Sequence, residues 1–203
     1  MSGDAATLLL VRHGQIAANQ ARVWHGSTDS PLTDHGRGEA ERTGLHLART
    51  RPRIAALYTS PLVRARDTAA AIATQVGLAP QVEPGLREYG IGALEGISYD
   101  DLARRHRFFA RIAEDPDFAP DGGESPRAVV TRMRETLARL ALAHRGEEIV
   151  LVSHGAALGM VLGELIENDL GRWPSYQCPN CAVSELVLEP APRLLSWGKT
   201  EHL

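Results

Sequence analysis

Two apolar runs of this chain end in the same pattern. Residues 8–11 and 149–152 each lead, after one further residue, into a histidine and a glycine, at His13 and His154. Unbroken apolar runs of this length predict strands buried on both faces, and such strands occur mainly in parallel sheets covered by helices. Because ligands of such sheets bind beyond the carboxyl ends of the strands, we expect the two histidines to meet at a binding edge.

The rest of the chain alternates strand and helix patterns, which predicts an α/β fold with a mostly parallel sheet covered on both faces. Ser60 and Pro61 suit the N-cap and first position of a helix that stops near Gly77. The length of 203 residues suits one domain over residues 1–203. Further strands are predicted at 54–58, 81–83, 182–188 and 194–197, the last two at a sheet edge, and further helices at 34–50 and 126–144.

Residues 97–125 differ from the rest, because they hold all three phenylalanines and a cluster of arginines. We interpret this segment as a helical insertion that lies over the body of the domain. Its aromatic side chains could contact an apolar part of a ligand, or they could simply anchor the insertion.

Composition excludes several classes of protein. The net charge of −3 gives no global attraction for nucleic acid or an anionic membrane. No stretch approaches the length of a membrane span, and residues 1–11 carry no basic leader, so we expect a cytoplasmic protein. Cys178 and Cys181 form a lone CxxC, which supplies only half of a zinc site, and we predict two thiols in a reducing cytosol and no structural metal.

Two arginines join the histidines at the predicted edge. Arg12 precedes His13, and Arg64 lies in the first turn of the helix after the second strand, where free backbone N–H groups favour an anion. Two guanidinium groups and two imidazoles suit a dianion such as phosphate. Glu88 follows the third predicted strand and could supply the proton that an alcohol needs in order to leave.

Taken together, these segments resemble the histidine phosphatase superfamily, branch 1, which includes the cofactor-dependent phosphoglycerate mutases. The segments occur in the family's order and cover nearly the whole chain. They are Leu10-Val11-Arg12-His13-Gly14 with Asn19, Pro31-Leu32-Thr33-Asp34-His35-Gly36, Ser60-Pro61-Leu62-Val63-Arg64-Ala65 with Thr68, Leu86-Arg87-Glu88 with Gly92 and Glu95-Gly96, Gly123-Glu124-Ser125, and Ser153-His154-Gly155.

The resemblance implies a three-layer αβα sandwich and a role for each matching residue. His13 is the implied phosphorylated nucleophile, and Glu88 is the implied proton donor. The implied phosphate and substrate pocket consists of Arg12, Asn19, Arg64, His154 and Gly155. The resemblance implies no metal and no cofactor, and the expected ligand is a small phosphorylated metabolite.

Three functions share this pocket. We expect a phosphatase that hydrolyses a phosphate monoester through phosphohistidine. A phosphoglycerate mutase is the first alternative, because Arg104 and Arg105 could hold a carboxylate, although the segment between Glu88 and His154 is shorter than in mutases. A non-catalytic module that binds a phosphorylated partner is the second alternative. Neither the substrate nor the oligomeric state follows from the sequence.

Overall fold

The computed structural model describes residues 5–203, which form a six-stranded sheet. Its strands are β1 (Thr7–Arg12), β2 (Ile54–Thr59), β3 (Pro80–Val82), β4 (Glu148–Ser153), β5 (Val183–Val187) and β6 (Arg193–Lys199). The strand order is β3-β2-β4-β1-β5-β6. The pairs β1–β4, β2–β4 and β2–β3 are parallel, whereas β5 pairs antiparallel with β1 and β6. The predicted mostly parallel sheet is confirmed, with the two late strands at one edge.

Helices of very different length connect these strands. They are α1 (Ala17–Ala21), α2 (Asp34–Thr50), α3 (Val63–Val76), α4 (Tyr99–Arg104), α5 (Phe108–Glu114), α6 (Pro126–Ala143) and α7 (Gly155–Glu167). Short 3-10 turns occur at Pro84–Leu86, Gly92–Leu94 and Leu170–Tyr176.

Adjacent side chains of a strand point to opposite faces of the sheet. The apolar side chains of the central strands therefore pack against helices on both faces. Leu8 and Leu10 pack into the cluster that contains the apolar faces of α6 and α7. Leu9 and Val11 pack into a second cluster with α2 and α3. The result is the expected three-layer α/β arrangement, with helices on each side of one sheet.

The predicted start of α3 is wrong. The helix begins at Val63, with Leu62 at the N-cap position, and not at Pro61. The Ser60 hydroxyl instead lies 2.7 Å from His154 Nε2 and accepts from the Leu62 backbone N–H at 3.3 Å. The Ser60 hydroxyl, which the local sequence predicts as a helix cap, therefore bonds to the buried His154 ring instead.

Residues 97–125 contain α4, α5 and irregular chain, and their phenylalanines have different surroundings. Phe108 is fully buried, with ring centroids 5.8 Å from Trp24 and 6.0 Å from Tyr89. Phe109 and Phe118 are only partly buried. Phe108 therefore anchors the segment, while Phe109 remains partly exposed.

Residues 1–4 lie outside the described residues. They belong to the predicted domain 1–203 and to the segment for which we predict no leader. Within residues 5–203, no helix is long and apolar enough to cross a membrane.

Candidate active site

The two histidines lie side by side because β1 and β4 pair in register. Arg12 pairs with Ser153, so His13 and His154 both follow the last paired residues. The His13 backbone N–H donates to the Ser153 carbonyl oxygen at 3.0 Å. Their ring centroids are 5.1 Å apart, and both side chains are buried. Two imidazoles therefore meet at the carboxyl edge of the sheet.

The local turn fixes the orientation of His13. Its Nδ1 lies 2.7 Å from the carbonyl oxygen of Gly14. Because a carbonyl oxygen only accepts hydrogen bonds, Nδ1 carries the proton and Nε2 keeps its lone pair. A Cβ at Gly14 would lie 2.5 Å from the Gly36 carbonyl oxygen, so this turn has no room for a side chain. The structure thus leaves the lone pair of Nε2 free.

Burial keeps both imidazoles neutral. Desolvation is the main cause that holds the pKa of His13 well below 6.5, and the charges of Arg64 and Arg12 lower this pKa further. The hydrogen bond to Gly14 raises it, but by less. Burial is also the main cause that holds the pKa of His154 well below 6.5, followed by the charge of Arg64. A neutral His13 is the form that can attack phosphorus.

The lowered pKa of His13 predicts a loss of stability in acid. The unfolded chain binds a proton near pH 6.5 that the folded chain does not bind, so stability falls as the pH drops below that value. Between pH 7.5 and 5.5, wild type should lose about 1.4 kcal/mol more unfolding free energy than His13→Gln. Urea unfolding of both proteins at both pH values measures this. Equal losses would contradict a buried neutral His13.

Arg12 offers an unpaired donor beside His13. Its Nη1 donates to the Cys178 carbonyl oxygen at 2.6 Å, whereas its buried Nε has no hydrogen-bond partner. A Cβ at Gly155 would lie 3.3 Å from Nε, so this glycine allows the guanidinium to approach the backbone closely. A buried charged donor without a partner is costly, and an oxyanion would satisfy it.

Arg64 and His154 lie behind this position, and neither lines the cleft described below. Arg64 is fully buried, and its Nε donates to His154 Nδ1 at 3.2 Å. Its Nη atoms donate to the carbonyl oxygens of Thr28, His25 and Gly26 at 2.9, 3.1 and 2.7 Å. In this arrangement His154 packs beside the His13 ring and Arg64 bonds to His154, while a direct bond from either residue to phosphate remains a prediction.

Glu88 lies at the N-terminus of α7, where free backbone N–H groups attract a carboxylate. Its Oε1 accepts from the backbone N–H groups of Tyr89 and Ala157, both at 2.8 Å, and its Oε2 accepts from Ala156 at 3.1 Å. Each oxygen can accept two hydrogen bonds. Oε2 therefore keeps one position free for a proton.

Arg12, His13 and Glu88 line a narrow cleft of about 20 Å³, which has room for about one water molecule. Its wall includes Arg12, His13, Asn19, Glu88 and Gly155, together with Trp24, Tyr99 and Gln177. The structure brings five of the predicted site residues together here.

The CxxC segment holds the backbone around His13 in place, a role that sequence reasoning missed. Besides the bond from Arg12 to Cys178, the Cys181 backbone N–H donates to the Arg12 carbonyl oxygen at 3.0 Å. Asn180 Nδ2 donates to the His13 carbonyl oxygen at 2.8 Å and to Asn19 Oδ1 at 3.2 Å. Burial raises the pKa of Cys181 to about 12 and also raises that of Cys178, so both thiols stay protonated.

Arg132, which sequence reasoning also missed, fixes the loop that carries Glu88. Arg132 donates through Nε and Nη2 to the Glu124 carboxylate at 2.9 and 3.0 Å, and to the Glu88 carbonyl oxygen at 2.9 Å. Burial would raise the pKa of Glu124, but the bonds and charge of Arg132 and the charge of Arg87 lower it. This fork-to-fork ion pair clamps the loop against α6.

Breaking this clamp should cost substantial stability. We expect Arg132→Met to lower the free energy of unfolding by about 3 kcal/mol, because it leaves Glu124 partly buried and without its main partner. The matched control is Arg127→Met on the same helix, whose ion pair with Asp117 is exposed (60% and 65%) and should contribute less than about 1 kcal/mol. Urea unfolding measures both, and equal losses would contradict the clamp.

Comparisons with known proteins show which family the chain belongs to. The family model described as histidine phosphatase superfamily (branch 1) matches residues 8–200. A relative from Klebsiella pneumoniae, named probable phosphoglycerate mutase, is 34% identical over 96% of this chain and 93% of its own. Within residues 5–203, no group of three or more His, Cys, Asp or Glu side chains is placed to hold a metal ion.

Solved structures with the same fold include phosphatases. The Entamoeba histolytica phosphoserine phosphatase, in complex with 3-phosphoglyceric acid, superposes with a TM-score of 0.87 at 26% identity, over 98% of this chain and 99% of that one. The mycobacterial glucosyl-3-phosphoglycerate phosphatase superposes with a TM-score of 0.84 at 26% identity, over 97% and 100%.

Proposed function

This chain belongs to the histidine phosphatase superfamily, branch 1, and on that basis we propose that it hydrolyses small organic phosphate monoesters through a phosphohistidine on His13. One observation carries the proposal. The buried imidazole of His13 has its Nδ1 bonded to the Gly14 carbonyl oxygen, and His13 shares its cleft with Arg12, whose buried Nε has no hydrogen-bond partner. A neutral nucleophile beside a cationic donor is what phosphoryl transfer from an ester dianion requires.

In the first step, His13 Nε2 attacks phosphorus, and the bond from phosphorus to the ester oxygen breaks. Arg12 binds the charged phosphoryl oxygens while the charge spreads over them. Arg64 acts with it through its charge, and we propose that Arg64, His154 and Asn19 also contact the bound phosphoryl group. Glu88 donates the proton on Oε2 to the leaving alcohol oxygen, so that a neutral alcohol departs.

In the second step, a water molecule attacks the phosphohistidine. Glu88, now ionised, accepts a proton from that water, and the bond from phosphorus to Nε2 breaks. Inorganic phosphate leaves, and His13 returns to its neutral form with Glu88 protonated. The covalent intermediate divides one difficult displacement at phosphorus into two easier ones.

Mutase activity is the second candidate, because a relative carries that name. The two arginines that could bind a carboxylate do not support it. Arg104 and Arg105 are exposed and do not line the cleft, and Arg105 pairs with Asp101 at 3.0 Å.

Assays with 3-phosphoglycerate and with a panel of other monoesters separate the two candidates. We expect free phosphate from monoesters and no 2-phosphoglycerate, with or without 2,3-bisphosphoglycerate. Formation of 2-phosphoglycerate that depends on 2,3-bisphosphoglycerate, with little release of phosphate, would assign the chain to the mutases.

A further inference from the structure

A second cavity adjoins the catalytic cleft. It measures about 380 Å³ and lies between α5 and the 3-10 segment Leu170–Tyr176. Tyr99 and Gln177 line both spaces, so the cavity lies next to the cleft that contains His13 and Arg12. An alcohol esterified to a phosphate bound in that cleft could therefore reach the cavity by extending past these two residues.

Three aromatic rings form one wall of this cavity. The rings of Tyr99 and Phe109 are stacked, with centroids 6.2 Å apart and planes at 10°. Trp173 continues the row, with its ring centroid 6.3 Å from that of Phe109. Such a row offers flat apolar faces on which another ring can stack.

The rest of the lining is also uncharged. Ile112, Leu170 and Pro174 complete most of it, and no residue of the described chain that lines the cavity is Asp, Glu, Lys or Arg. Burial, followed by the charge of Glu88, raises the pKa of Tyr99, so its hydroxyl stays neutral as well. A carboxylate or a polyhydroxylated group would lose water here and find only the uncharged side chains of Tyr99, Trp173 and Gln177 as polar side-chain partners.

We infer that this cavity binds the alcohol part of the substrate, and that the preferred substrates are phosphate monoesters of apolar, preferably aromatic, alcohols. The inference rests on the proposed phosphatase function and adds the substrate class. The size is suitable, because a cavity of roughly 150 Å³ already holds benzene. At about 380 Å³, this cavity admits a two-ring group.

Two esters with leaving groups of similar basicity test this inference. We would compare kcat/KM for 2-(1-naphthyl)ethyl phosphate and for ethyl phosphate, so that a preference reports binding and not leaving-group chemistry. We expect wild type to prefer the naphthyl ester by about tenfold or more, as contacts in an apolar pocket allow. Comparable values for both esters would overturn the inference and leave the phosphatase assignment intact.

Three variants locate the preference. Phe109→Ala should lower kcat/KM for the naphthyl ester about tenfold and change ethyl phosphate by less than about twofold. Ala113→Trp, at an exposed position on the cavity wall, should fill the space with the same selective effect and little risk to folding. Phe118→Ala is the control, because Phe118 packs under Arg111, 3.7 Å from its ring centroid, and lies outside the cavity lining.

The outcomes are distinguishable. Selective loss on the naphthyl ester in both cavity variants, but not in Phe118→Ala, would support the inference. Equal losses on both esters would overturn it, because the cavity would then support the fold and not the alcohol. Failure of wild type to hydrolyse any monoester or to form phosphohistidine would overturn the proposed function itself.

Discussion

Replacing His13 with alanine should lower kcat for every phosphate monoester by roughly 10⁴-fold or more, as the loss of an attacking nucleophile does in other enzymes. The expected loss is large because His154, 5.1 Å away between ring centroids, cannot take over the attack. Its Nδ1 accepts from Arg64 and its Nε2 contacts Ser60. Initial rates of phosphate release from ethyl phosphate and p-nitrophenyl phosphate measure the effect.

The control for this variant is His46→Ala. His46 stacks on His202 with ring centroids 4.7 Å apart and does not line the cleft, so its removal should change kcat by less than about threefold. Urea unfolding checks that both variants fold. A folded His13→Ala protein with a rate near that of wild type would remove His13 from the nucleophile role.

Replacing Glu88 with glutamine should slow phosphorylation of His13 by about 10²-fold or more with ethyl phosphate, because an alkoxide leaves poorly without a proton. With p-nitrophenyl phosphate the same step should change by less than about tenfold, since that leaving group scarcely needs a proton. Rapid-quench measurement of the first turnover isolates this step from the attack of water, in which Glu88 also acts.

The glutamine side chain tests two roles of Glu88 at once, because both carboxylate oxygens accept backbone N–H groups at the start of α7. An amide can accept through only one of them, so some loss of stability is expected. A loss of equal size in the first turnover of both esters would show that Glu88 acts only by holding the helix and the cleft together.

Much of the fold follows from the sequence because local pattern and tertiary environment agree. The apolar runs of β1 and β4 predict strands whose observed bounds differ by about one residue, and α2 spans the predicted 34–50. Parallel pairing in register then brings His13 and His154 together. Here the sheet topology alone determines which side chains meet.

The parts that could not be predicted depend on partners far away in the chain. Ser60 has a sequence typical of an N-cap, yet the buried ring of His154 takes its hydroxyl. Asn180 lies between the two cysteines of the CxxC segment, a pattern that predicts a role for the thiols. It does not predict the hydrogen bond from the Asn180 amide to the His13 carbonyl oxygen. Neither contact leaves a local signal, because each one exists only after the strands have assembled.

The position of Arg132 on its helix gives a weak sequence signal for its buried role. Arg132 follows Val129 by three residues and precedes Thr136 by four, so it borders the buried face of its helix. An arginine at that position needs a partner, and Glu124 in the matched Gly123-Glu124-Ser125 segment supplies one. The carbonyl oxygens of the loop from Gly85 to Glu88, which complete its surroundings, are 44 to 47 residues away.

Direct trapping of the phosphoenzyme tests whether a neutral imidazole attacks phosphorus in this cleft. Wild type would be mixed with a ³²P-labelled monoester, quenched in alkali after a few milliseconds, digested and mapped. Radioactivity that is stable to alkali, lost in acid and confined to the peptide containing His13 is the predicted result. Release of labelled phosphate with the label on another residue, or with no covalent label at any time, would contradict it.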